Sequence, residues 1–147
     1  MKVNPRIKRI LRFSFSALYL SGATYFIFHK FLRVHGEFGD SPSTVERFVG
    51  PIHFIFAVTF IFVFGMVWNY HIEPAIRIHR HRFSGWSFVV LLSLLASTAT
   101  VILYGNETWI GRAEFIHPYI GLLLLPNLFL HWNPKLIKKL KNVILRA

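Results

Sequence analysis

The chain has 147 residues, 54% of them hydrophobic, with no cysteine and a formal net charge of +11, and its mean hydropathy is positive. This composition excludes an ordinary soluble domain and points to an integral membrane protein. Without cysteine there are no disulfides, no thiolate-held iron–sulfur clusters and no covalent c-type haem, which requires Cys-x-x-Cys-His.

Four runs contain no Asp, Glu, Lys or Arg: Phe13–His29, Phe48–Ile72, Phe83–Asn106 and Phe115–Pro134. Each is long enough, or nearly so, to cross a hydrocarbon core about 30 Å thick as a helix. The sequence therefore predicts an all-α, integral-membrane, four-helix up-and-down bundle. Its spans lie roughly over 11–32, 48–71, 84–105 and 113–133 of one transmembrane domain covering 1–147. Little chain remains for a soluble catalytic domain.

The first span follows Lys2, Arg6, Lys8, Arg9 and Arg12 and contains Ser21-Gly22, which suits either helix packing or the close approach of a flat cofactor. His29 and His35 flank its far end and read as interfacial; contact with a quinone headgroup or a partner protein is the other reading. In the second run, Gly50-Pro51 reads as a helix start, followed by His53, Gly65 and His71. His79 and His81 belong to the basic run Arg77–Arg82, which reads as a topological signal. The third run has a small polar stripe, Ser93, Ser97, Thr98 and Thr100, suited to close packing and without a candidate ligand. The fourth carries His117, Gly121, Pro126, Asn127 and His131. Pro126 is expected to kink it, and Asn127 to make an interhelical hydrogen bond.

Charge predicts the topology. The two ends and the middle loop hold thirteen basic residues against the single acid Glu73, whereas the other two loops hold four bases against five acids. The positive-inside rule then puts both termini in the cytoplasm, as in a bacterial-type inner membrane. Trp68, Trp86 and Trp132 fall at the inner ends of spans and Trp109 at an outer end, as an aromatic belt requires. The basic residues flank spans and lack interleaved stacking aromatics. Anionic lipid is therefore the expected partner, and nucleic acid is not.

Ionisable groups at membrane depth are costly and point to function. His117 and His131 are 14 residues apart, close to four helical turns and about 21 Å, so one helix presents both on one face. His53 and His71 are 18 apart, five turns, and the second span runs in the same direction as the fourth. Each of these two helices thus offers an outer and an inner imidazole. The spacing suggests two stacked haems, His53 and His117 on the outer and His71 and His131 on the inner. Gly121, one turn after His117, and Gly65 leave room for a flat macrocycle, or serve helix packing. With cysteine absent, the noncovalent candidates are b-type haem, flavin and quinone. Interhelical hydrogen bonding or interfacial water is the bland role for each histidine.

The segments FVGPIHFIFAVTFIFVFGMVWNYH and FIHPYIGLLLLPNLFLHW resemble helices of the four-helix cytochrome b subunits of formate dehydrogenase and nickel–iron hydrogenase, and of small bacterial cytochrome b561-like proteins. In that family the last helix carries two histidines 14 apart with a glycine four after the first, as His117, Gly121 and His131 do here. The family's second helix supplies the outer haem's other ligand, at the position of His53. The opening segment RIKRILRFSFSALYLSG is similar to the family's first helix. This chain departs from the family where the inner haem's partner histidine lies near the start of that helix: none occurs between Lys8 and Ser16. Either His71 substitutes, or the inner haem is missing or differently ligated.

The resemblance implies two haems b, an outer redox partner subunit, and electron exchange with membrane quinone or an inner-side acceptor. It implies a subunit of an oxidoreductase complex rather than a stand-alone enzyme. A one-haem quinone-binding anchor and a haem-free structural subunit are the alternatives.

Overall fold

The computed structural model describes residues 4–37, 39–77 and 82–133. His79, His81, Lys2, Arg80 and the C-terminal basic run from Lys135 lie outside them. Two compact units divide the chain, Met1–Pro74 and Ala75–Ala147. The described secondary structure is almost wholly helical.

In the first unit, α1 spans Pro5–Phe31. Asn4 caps it, its side chain accepting from the Arg6 amide at 2.9 Å, with Pro5 in the first turn where no amide is missed. Val34–Gly36 (β1) and Gly39–Ser41 (β2) then form a small antiparallel hairpin in register Val34↔Ser41 and His35↔Asp40. The His35 and Asp40 side chains pair across it. Gly39 has φ +100°, a value that favours glycine. This hairpin is absent from the sequence expectation, although the Gly-x-x-Gly-Asp turn residues signal it.

α2 spans Thr44–Val67 and is capped by Ser43, whose hydroxyl accepts from the Glu46 amide at 3.2 Å. It therefore begins earlier than Gly50-Pro51 suggests, and Pro51 lies inside it. The cap supplies the start signal, and the break in the amide ladder at Pro51 falls only about two turns from the polar end. α1 and α2 pack antiparallel. Contacts join His29 to Glu46, Ser21 to His53 and Phe15 to Phe60, so residue numbers fall on one helix as they rise on the other. Phe60, Val63 and Val67 are buried.

Beyond Val67 the helix widens into a π turn, Trp68–Ile72, before the short α3, Glu73–Arg77. The Glu73 amide bonds the Trp68 carbonyl, five residues back. Pro74 offers no amide to the Tyr70 carbonyl and its ring crowds that position, which gives the physical reason for the wider turn.

The second unit is a helical pair, α4 (Arg82–Tyr104) and α5 (Glu107–Trp132). α4 ends at Gly105, whose amide donates to the Val101 carbonyl at 2.8 Å. A Cβ on Gly105 would sit 2.5 Å from that oxygen, so only glycine fits. Asn106 caps α5 through the Trp109 amide. This pair is antiparallel as well, Thr98 meeting His117 and Ser87 meeting Asn127. α5 runs unbroken through Pro118 and Pro126. It also starts earlier than expected, so Arg112 and Glu114 lie on the helix rather than in a loop.

Among the described residues, four helical stretches are long and apolar enough to cross a membrane: Pro5–Phe31, Thr44–Ile72, Gly85–Tyr104 and Glu107–His131. Their surfaces carry exposed Phe13, Phe31, Phe62 and Tyr104. Large apolar side chains facing outward along every span suit hydrocarbon and not water. The chain is thus a mostly helical protein with the character of a multi-pass membrane protein.

Candidate functional site

His53 lies nine residues into α2 from Thr44, and His117 ten residues into α5 from Glu107. Each imidazole meets a hydroxyl on the preceding helix of its own hairpin. Ser21 Oγ is 3.1 Å from His53 Nδ1, and Thr98 Oγ1 is 2.8 Å from His117 Nδ1. Both hydroxyls also bond carbonyls of their own helix, Ser21 to Leu18 at 3.0 Å and Thr98 to Leu94 at 2.9 Å and Leu95 at 3.1 Å. A hydroxyl has one proton to donate. Each hydroxyl thus bridges its own helix and the imidazole of the neighbouring one, and the tautomer of the ring sets which partner donates at Nδ1.

The His53 ring lies against Gly22. A Cβ there would stand 2.8 Å from His53 Cε1, closer than such atoms pack, so the ring's position requires glycine. Gly65 and Gly121 differ: a Cβ on either would meet nothing within 4 Å. Open space beside both is compatible with a flat macrocycle or with lipid. The tight glycine contact at the candidate ligand is therefore at Gly22, one of the two roles its sequence position allowed.

His71 and His131 are differently placed. His71 sits in the π turn, so the α-helical lattice that carries His53 stops at Val67, before His71. The five-turn alignment of His53 with His71 therefore does not carry through as regular α-helix. His131 is in the last turn of α5, on the helix that carries His117. One turn before it, buried Asn127 accepts a hydrogen bond from Ser87 at 2.7 Å, the interhelical bond expected of it.

His29 is held at the far end of α1. Its Nδ1 is 2.6 Å from Glu46 Oε1 and its ring stacks on Tyr25. Ser43 and Glu46 have capping-box spacing, yet this carboxylate pairs with His29 on the other helix. At the start of α5, Arg112 lies over the Trp109 ring at 5.0 Å, a contact suited to a membrane interface.

Among the described residues, no group of three or more His, Cys, Asp or Glu side chains could hold a metal ion. An ion caged by the protein alone is not built there. Histidine by its donor chemistry instead suits a metal whose other donors come from a macrocycle. The imidazoles of His53 and His117, each taken within its own unit, are of the donor type that haem b accepts. Sequence reasoning missed the roles of Ser21 and Thr98. A hydroxyl on the partner helix was visible in each case, but only helix register shows which histidine it meets. Comparison with protein-family models, curated proteins and solved structures found no match to the chain.

Proposed function

We propose that the protein is a membrane-embedded b-type cytochrome that carries electrons across the bilayer as a subunit of a larger oxidoreductase complex. It would sit in a bacterial-type inner membrane as an up-and-down bundle with both termini cytoplasmic. His53 and His117 would hold an outer haem, and His71 and His131 a second, inner one. When bound, haem supplies a one-electron couple. The chain itself supplies imidazole nitrogens, holds them in position, and excludes water with apolar helices. A redox partner docks on the outer face, and quinone or another acceptor exchanges electrons on the inner side.

The observation that carries this reading is the matched anchoring of His53 and His117. Each sits at similar depth in its own helix and is held through Nδ1 by a hydroxyl of the neighbouring helix. A hydrogen bond that fixes one ring nitrogen of a histidine orients the ring so that the other nitrogen can bind metal. A one-haem form, with inner histidines lining a quinone pocket, is the second reading. It is favoured by the place of His71 in a π turn.

A pyridine haemochrome assay on the purified full chain, with protein quantitation, tests the proposal. Two haems b per chain are expected, one supports the second reading, and a colourless protein overturns both. His53→Ala and His117→Ala should each remove the outer haem, and His71→Ala only the inner.

A further inference from the structure

We propose that α5 carries a site for one anionic glycerophospholipid, with the phosphate on Arg112 and one acyl chain in the apolar groove below that residue. The inference needs only the membrane character of the helix, so it stands or falls separately from the haem reading.

Five side chains of α5, Phe115, Ile116, Tyr119, Ile120 and Leu123, line a wholly apolar groove on the second unit. Phe115, Ile116, Tyr119 and Leu123 are exposed, and the Phe115 and Tyr119 rings pack together at 5.2 Å. At 3.6 residues per turn, Ile116, Tyr119 and Leu123 fall within about 40° of Arg112 around the helix axis. The groove therefore runs directly below Arg112, descending about 12 Å from Phe115 to Leu123.

Arg112 lies just before the charge-free run Phe115–Pro134, at the level where hydrocarbon gives way to headgroups. Helical side chains lean toward the N-terminus, here the polar end of α5, so the guanidinium snorkels toward the interface. There it meets the Trp109 ring at 5.0 Å. The ring offers its π-face and no oxygen, so the N–H fork that suits two phosphate oxygens is left to a ligand. No carboxylate pairs with Arg112 among the described residues. Glu107 and Glu114 share its helix but lie about 140° and about 160° around it.

A cation without an acid, set at the head of an apolar groove, complements a molecule that is anionic at one end and hydrocarbon at the other. A soluble anion would leave the groove unused. A zwitterionic headgroup would bring its ammonium beside the guanidinium.

Tryptophan fluorescence in lipid vesicles tests this. The full-length chain with Trp68→Phe, Trp86→Phe and Trp132→Phe keeps Trp109 as its one indole, since the sequence has four. The vesicles are phosphatidylcholine with a minor share of phosphatidylglycerol, and bromine on the acyl chains of one lipid or the other quenches the indole it neighbours. Phosphatidylglycerol should be preferred beside Trp109 about fivefold, the weight of one cation at an anionic surface. Arg112→Gln should abolish the preference and Arg112→Lys should keep part of it. Lys30→Gln, a cation in the last turn of α1, should leave it unchanged. Millimolar glycerol phosphate, which has the anion without the chains, should not relieve the quenching. Unchanged helicity by circular dichroism certifies each variant; if Arg112→Gln loses it, the parent chain and the other two controls decide. Equal quenching by both lipids, an equal response to Lys30→Gln, or displacement by glycerol phosphate overturns the proposal. So does protection from both lipids in a chain that cross-links to a second copy, which would put protein in the groove.

Discussion

At Gly22 the backbone of α1 approaches the His53 ring so closely that a single methyl group has no place, the added Cβ standing 2.8 Å from Cε1. Gly22→Ala should push the imidazole away from Ser21 and destabilise the α1–α2 hairpin by about 1–3 kcal/mol, the usual cost of overpacking. A lowered thermal midpoint by circular dichroism, together with reduced haem content, is the expected result. Gly65→Ala and Gly121→Ala meet open space and should leave the midpoint unchanged. If either lowers haem content alone, that glycine packs against the macrocycle. The histidines could be picked out from the sequence because an ionisable group in an apolar run is conspicuous by type. Ser21 and Thr98 could not, because serine and threonine are cheap in such runs, and Ser14, Thr59, Ser97 and Thr100 bond carbonyls of their own helix.

At the scale of the element, spans were legible and their ends were not. Charge-free runs show where hydrocarbon begins, but a helix stops where its backbone is capped. α2 and α5 extend outward to Ser43 and Asn106, which satisfy amides that charge counting ignores. Glu46, Arg47, Arg112 and Glu114, loop charges by composition, consequently ride on helices. The π turn at Trp68–Ile72 was hidden for a different reason. Proline's effect falls on the preceding turn, whereas hydropathy is smooth across it. Pro74→Ala returns an amide to the Tyr70 carbonyl and should let α2 continue as regular α-helix. Amide hydrogen exchange across Trp68–Ile72 should then slow, and an unchanged pattern would assign the wider turn to some cause other than proline.

For the molecule as a whole, the absence of cysteine makes topology directly measurable, since every introduced thiol is read without background. Single variants Asp40→Cys and Glu107→Cys should react with a membrane-impermeant maleimide on intact cells. Lys2→Cys and Arg146→Cys should react only after permeabilisation. The reverse pattern would overturn the orientation expected from charge, and with it the designation of His53 and His117 as the outer pair. The sequence by itself determined the membrane character, the four apolar helices and the set of histidines with candidate roles. Those properties are sums over some twenty consecutive residues, or follow from residue type alone. Only the tertiary structure decided that Ser21 faces His53, that Thr98 faces His117 and that Gly22 makes the room. These contacts join residues 19 to 32 positions apart. They depend on the rotation and register of one helix against its neighbour, which side-chain packing sets and hydropathy does not encode.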